Sequence, residues 1–190
     1  GYEKFRAYAD LSNILRELRD FEAAKSAIKE SLTLASRITN YIEKFQAYQY
    51  LSKILFKQDH NKVQKSRSRV PFWMIKWRSL AVRESFHLVS EMPVGSQKSL
   101  AYADLYALML VKGDKEGAKS AIEESLRLAS ELPEGWEKTD SLIGLSKILM
   151  ENGEKKESLR LASELPEGWQ KTNSLIGLSK ILMENGEKKE

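Results

Sequence analysis

The sequence predicts an all-α fold, an α-solenoid of stacked antiparallel helical hairpins, and three observations carry that prediction. The chain repeats itself with a period of about 40 residues, the size of one supersecondary unit in a stacked array. Within each repeat, apolar residues recur at helical spacing. The breaks between helical stretches hold much of the chain's sparse punctuation, ten glycines and four prolines in 190 residues.

The repeat is visible in two alternating motifs. AYADLSNIL, from Ala7, returns as AYQYLSKIL from Ala47, as AYADLYALM from Ala101 and as SLIGLSKIL from Ser141 and again from Ser174. Between these lie AIKESLTLAS from Ala27, AVRESFHLVS from Ala81, AIEESLRLAS from Ala121 and a shortened ESLRLAS from Glu157. A unit of this size cannot bury its own apolar face, so it needs its neighbours.

Both motifs are amphipathic helices. Leu11, Ile14, Leu15 and Leu18 fall at i, i+3, i+4 and i+7, which predicts the buried stripe of the first helix. Ala24, Ala27, Ile28, Ser31, Leu32 and Ala35 do the same for the second. Arg19-Asp20, Gly113-Asp114, Gly153-Glu154 and Gly186-Glu187 mark the hairpin turns: glycine suits a left-handed C-cap, and an acid suits the next helix N-terminus. SEMPVG and SELPEG follow the second helix, where proline stops helical propagation. The boundaries predict one repeat domain over 1–190, with repeats at about 1–40, 41–94, 95–134, 135–167 and a partial one at 168–190.

Aligned on Asp20, the stretch LSNILRELRDFEAAKSAIKESL resembles a tetratricopeptide (TPR) repeat. Leu11 and small Ser12 stand at the family's Leu-Gly pair, Ala24 at its alanine, and Ser31-Leu32 at its Ala-Leu pair. Leu105, Ala118, Ser125 and Leu126 repeat the pattern in the third unit. The resemblance implies a right-handed superhelix that holds a peptide or partner protein in a groove lined by the first helix of each hairpin. The implied groove residues are Arg6, Asn13 and Arg16, then Gln49, Lys53, Phe56 and Lys57, with Asp140, Ile143 and Lys147 further along. The family's paired-asparagine carboxylate clamp is not reproduced, since Lys53 and Lys147 stand where Asn13 has its counterparts.

Two irregularities break the register. The second repeat carries a 14-residue insertion over 67–80, and the fourth lacks seven residues between Lys156 and Glu157, the counterpart of GAKSAIE in the third. Both are whole heptads, so each heptad turns the apolar stripe by only about 20° and the helix changes length with its buried face nearly kept. Glu124–Glu157 and Glu157–Glu190 differ only at 137/170 and 140/173, as a tandem duplication or deliberate repetition would leave them. After Gly186 the sequence ends where a second helix is due. Either the chain continues beyond this point, or the apolar face at Leu175, Leu178, Ile181 and Leu182 pairs with another copy in a homo-oligomer.

Composition narrows the chemistry. The chain is 42% hydrophobic and 31% charged, an ordinary globular balance, and no apolar run reaches the roughly 18 residues of a transmembrane segment. With no cysteine there is no disulfide or thiolate chemistry, which predicts a cytoplasmic setting. His60 and His87 read as surface residues, the carboxylates interleave with lysines as on solvated helix faces, and no phosphate-binding glycine loop occurs. The expectation is a non-catalytic interaction scaffold with no metal and no cofactor.

The stretch RSRVPFWMIKWR stands apart. From Lys62 to Arg83 seven basic residues occur without an acid, and aromatic rings lie among them. Pro71 suits the first turn of a helix running to about Met92. On that helix Met74 and Ile75 extend the framework stripe, while Trp73, Trp77 and Leu80 form a second one with nothing obvious to cover. Three readings stand side by side for Arg67, Arg69, Phe72, Trp73, Lys76 and Trp77: internal packing, a protein-partner anchor rich in Trp and Arg, or binding of nucleic acid or an anionic surface.

Overall fold

The computed structural model describes residues 2–56 and 72–187. All regular structure among them is helical, and they form two compact units, Gly1–Met92 and Pro93–Glu190. The first holds α1 (Tyr2–Glu17), α2 (Phe21–Ser36), α3 (Tyr41–Phe56) and α4 (Phe72–Glu91). The second holds α5 (Ser96–Lys112), α6 (Lys115–Glu131), α7 (Trp136–Glu151), α8 (Lys155–Ser163) and α9 (Trp169–Glu187). In the first unit α1 pairs with α2 and α3 with α4, and α3 also lies against α1 and α2. In the second, α5 pairs with α6 and α7 with α8; α7 lies against α5, α6 and α9, and α9 also reaches α8. Each unit is thus a stack of TPR-like helical hairpins.

The hairpin turns follow from their sequence. Asp20 and Asp114 cap α2 and α6, accepting from the backbone N–H of Ala23 at 3.0 Å and of Gly117 at 2.9 Å. The preceding helix closes on a residue in the left-handed region, Arg19 at φ 63°, Gly113 at 80° and Gly153 at 90°. In each case the next N–H reaches back five residues: Asp20 to the Leu15 carbonyl, Asp114 to Met109 and Glu154 to Leu149, all at 2.9 Å. Asn40 caps α3, its side-chain oxygen accepting from Ile42 at 2.9 Å and Glu43 at 3.1 Å.

Small residues let the helices of a hairpin approach. Ala24, Ala27, Ser31 and Ala35 of α2 are buried, as are Ala118, Ala121, Ser125 and Ala129 of α6. The stripe predicted for α1 is rotated in the structure. Phe5, Ala9, Ser12 and Arg16 face inward, while Leu11 and Ile14 are exposed and Leu18 is 72% exposed. The equivalents on α3, Leu51 and Ile54, are buried because α3 has α4 to cover them as well as α1 and α2. Apolar spacing indicates which residues can be buried, but the number of neighbouring helices decides how many are.

Candidate functional site

The aromatic–basic stretch was the most conspicuous candidate, and its first half, with Arg67, Arg69 and Pro71, lies outside the described residues, as do Lys57 and His60. The remainder is mainly packing. Trp73 and Trp77 are half-buried against a cluster of Ile28, Leu55 and Met74, beside Leu32, and their ring centroids lie 4.9 Å apart. The expected second, uncovered stripe is therefore covered by α2 and α3. Ile75, expected in the core, is exposed, as are Phe72 and Lys76.

Arg78 explains the local arrangement. It is buried, donates from Nε (2.9 Å) and Nη2 (2.5 Å) to the Leu55 carbonyl, and lies over the Phe56 ring at 5.0 Å. Arg16 reaches the same helix end from α1, its Nη1 donating to the Ile54 carbonyl at 3.1 Å. Two guanidinium groups thus donate to adjacent carbonyls in the last described turn of α3.

This changes the groove residues expected in the first unit. Arg16 is 2% exposed and serves the α3 terminus instead of an open face. Gln49 is buried, its amide without a hydrogen-bond partner among the described residues, and Phe56 is engaged by Arg78. Arg6 is exposed and lies over the Tyr50 ring, whose hydroxyl donates to Asp10. Asn13, half-buried, faces Glu17, and Lys53 is exposed.

The second unit contains a better-formed site. A cleft of about 520 Å³ runs between α7 and α9. Asp140, Ile143 and Lys147 line one side; Trp169, Gln170, Asn173, Ser174, Gly177, Leu178 and Ile181 line the other. The three α7 residues are those the resemblance placed in the groove. Its walls mix apolar side chains with hydrogen-bonding groups, and the Asp140 carboxylate and Lys147 ammonium give both charge signs.

Trp169, at the start of α9, is 73% exposed, and its repeat equivalent Trp136 is 72% exposed. Sequence reasoning passed over both. The signal was the recurrence of GW at the start of α7 and α9, which puts each ring in the first turn, where no preceding turn of helix exists to cover it.

The residues expected to self-associate lie on α9. Leu178 is 2% exposed and packs with Met150 and Ala162, with Ile181 and Leu182 against them. α9 rests on both helices of the preceding hairpin, so its apolar stripe is partly covered within the unit. Leu175, Ile176 and Met183 are its exposed apolar residues.

Among the described residues no three His, Asp or Glu side chains cluster as metal ligands would, and no helix is long and apolar enough to cross a membrane. His87 is exposed, 3.7 Å from Glu91. The interleaved charges pair along helix faces: Arg127 between Glu124 and Glu131, and Arg160 between Glu157 and Glu164. Hydrogen bonding to Arg127 holds the Glu124 carboxyl below its ordinary range, and Arg160 does the same for Glu157.

Residues 5–37, the first hairpin, match the Tetratricopeptide repeat family model. No curated protein and no solved structure matches the chain. With helical hairpins throughout the described residues, the chain is a TPR-like helical repeat protein. Tetratricopeptide repeats mediate protein–protein interaction and are not a catalytic family.

Proposed function

We propose that this TPR-like protein is a non-catalytic interaction scaffold, and that the cleft between α7 and α9 holds an extended segment of a partner protein. The observation that carries this reading is the cleft itself. It lies between two helices of the same repeat type, its walls are apolar with a few polar groups, and an exposed tryptophan stands at the start of α9. Exposed tryptophans beside apolar pockets are strong binding anchors. Asp140 and Lys147 on one wall favour a segment that brings both charge signs. The cysteine-free composition supports a cytoplasmic setting.

Selection of binders from a displayed random-peptide library against the whole chain tests the reading. Enriched peptides should bind about tenfold or more weakly to Trp169→Ala and Asn173→Ala variants, as loss of an interface anchor does. Peptides that bind both variants as well as the parent chain would place the site elsewhere.

A second copy of the chain is the partner assigned to the exposed side of α9, where Leu175, Ile176 and Met183 stand. Sedimentation should show a dimer or larger species that Leu175→Lys dissociates; a monomer at high concentration removes this part of the reading. The nucleic-acid reading gains nothing from the described part of the insert, where Arg78 and both tryptophans turn inward.

A further inference from the structure

The two units offer an internal comparison. Ile28, Leu32 and Leu55 of the first correspond in repeat register to Ile122, Leu126 and Leu149 of the second. In the first unit these three are covered by Trp73, Met74 and Trp77 of α4, a 20-residue helix. In the second, the helix at the place of α4 is α8, with only nine residues: it lacks GAKSAIE, and it has no counterpart of the 67–80 insertion that carries Trp73, Met74 and Trp77. The result is a slot of about 340 Å³ over Ile122, Leu126 and Leu149, walled also by Leu110, Ala118 and Tyr106.

The slot has features of a site lacking its cover. Leu110 is exposed, and Ile122 is half-buried where its counterpart Ile28 is fully buried; Leu126 is half-buried, as Leu32 is. Tyr106 is 5% exposed, yet its hydroxyl has no hydrogen-bond partner among the described residues, a costly state that an added polar group can relieve. The rim is charged with opposite signs, Lys115 and Lys119 on α6 facing Glu154 and Glu157 at the start of α8. The Leu149 carbonyl is already met by the Glu154 N–H, so no counterpart of Arg78 is needed.

We propose that this slot is a docking site for a short amphipathic helix of a partner protein, carrying large apolar side chains at i, i+1 and i+4, the spacing of Trp73, Met74 and Trp77. The oppositely charged rim sets its direction: an acidic flank against Lys115 and Lys119, a basic one against Glu154 and Glu157. The site is separate from the α7–α9 cleft and does not depend on it.

The test uses a helix-stapled, fluorescein-labelled peptide of sequence FWMIKWRSL, Phe72–Leu80 of this chain, titrated into the whole protein by fluorescence anisotropy. Saturable binding is expected, weakened about tenfold or more by Leu110→Lys, as for loss of a central apolar contact. It is also expected to be lost when FWMIKWRSLAVR, the sequence of residues 72–83, is inserted between Lys156 and Glu157, because α8 then carries the α4 cover in the same register and the chain covers its own slot. The insertion decides the matter if Leu110→Lys fails to fold, and the reverse. Trp169→Ala should leave binding unchanged. No saturable binding to the parent chain, binding that survives either slot variant in folded form, or binding lost with Trp169→Ala overturns the proposal.

Discussion

Arg78 holds the Leu55 carbonyl with two nitrogens at once, and so joins α4 to the end of α3. With Arg16 on the Ile54 carbonyl, it supplies side-chain donors to the last described turn of α3. The basic character that suggests an anionic ligand at this residue serves the fold. Arg78→Met keeps much of the stem and removes the donors, so it should destabilise the first unit by about 2–3 kcal/mol, the contribution of a buried charge-assisted hydrogen bond. Arg78→Lys should recover less than half of this, since an ammonium lacks the planar fork. Urea unfolding midpoints check both; a neutral Arg78→Met would show that the contact contributes nothing.

The helical hairpins were legible in the sequence because their signals are local. Gly-Asp turns, capping acids and apolar spacing act within a few residues, and Asp20, Asp114 and Gly113 stand where those signals put them. The tryptophans were not legible by the same means. Trp73 and Trp77, set among charges, are covered by Ile28 and Leu55, two residues far away in sequence. Trp136 and Trp169, in the regular repeat, are exposed. Burial depends on which helices become neighbours, and a single helix's periodicity does not carry that information. The α7 side of the cleft was legible through repeat register; the Trp169 side was not, because a first-turn residue has no fixed relation to the buried stripe.

Arg19 occupies the left-handed position that Gly113 and Gly153 occupy in the later hairpins. A side chain there is strained by its Cβ, by roughly 1 kcal/mol or more per residue. Glycine removes that strain but has more freedom to lose on folding, so Arg19→Gly should stabilise by about 0.5–1 kcal/mol net. A thermal midpoint raised by a few degrees is the expected result. An unchanged or lower midpoint would mean that the arginine contributes contacts offsetting its backbone conformation.

Ser31 and Ser125 share a repeat position but not a role. Ser31 donates to Ala27 of its own helix at 3.0 Å. Ser125 donates across the hairpin to the Ser99 carbonyl at 2.6 Å, and Ser99 returns the bond to the Ser125 carbonyl at 2.9 Å. A back-bond within one helix adds little, whereas a buried bond between helices contributes about 1 kcal/mol. Ser125→Ala and Ser99→Ala should each cost about 1 kcal/mol, and Ser31→Ala close to nothing. Equal losses at Ser31 and Ser125 in denaturant titrations would contradict the reciprocal pair.

Gly144 and Gly177 are duplicated copies of one position, in α7 and α9, and the structure separates them. A Cβ at Gly144 would lie 2.3 Å from Leu100 Cδ2 on α5, whereas one at Gly177 meets nothing within 4 Å. Replacing glycine by alanine inside a helix gains up to about 1 kcal/mol of helix propensity at either site. At Gly177 that gain stands, so Gly177→Ala should stabilise. At Gly144 the Leu100 side chain must leave its rotamer well, at a cost of about 0.5–1.5 kcal/mol, and the net effect should be neutral or unfavourable. The two single variants, compared by thermal melting, isolate the α5–α7 approach from intrinsic propensity, because the flanking sequence SLIGLSKIL is the same at both. An equal gain at the two sites would show that Leu100 gives way freely and that α7 is not held against α5 by this contact. Gly177 also lines the cleft, so its alanine variant should fill part of that space and weaken any peptide seated there while the chain itself becomes more stable.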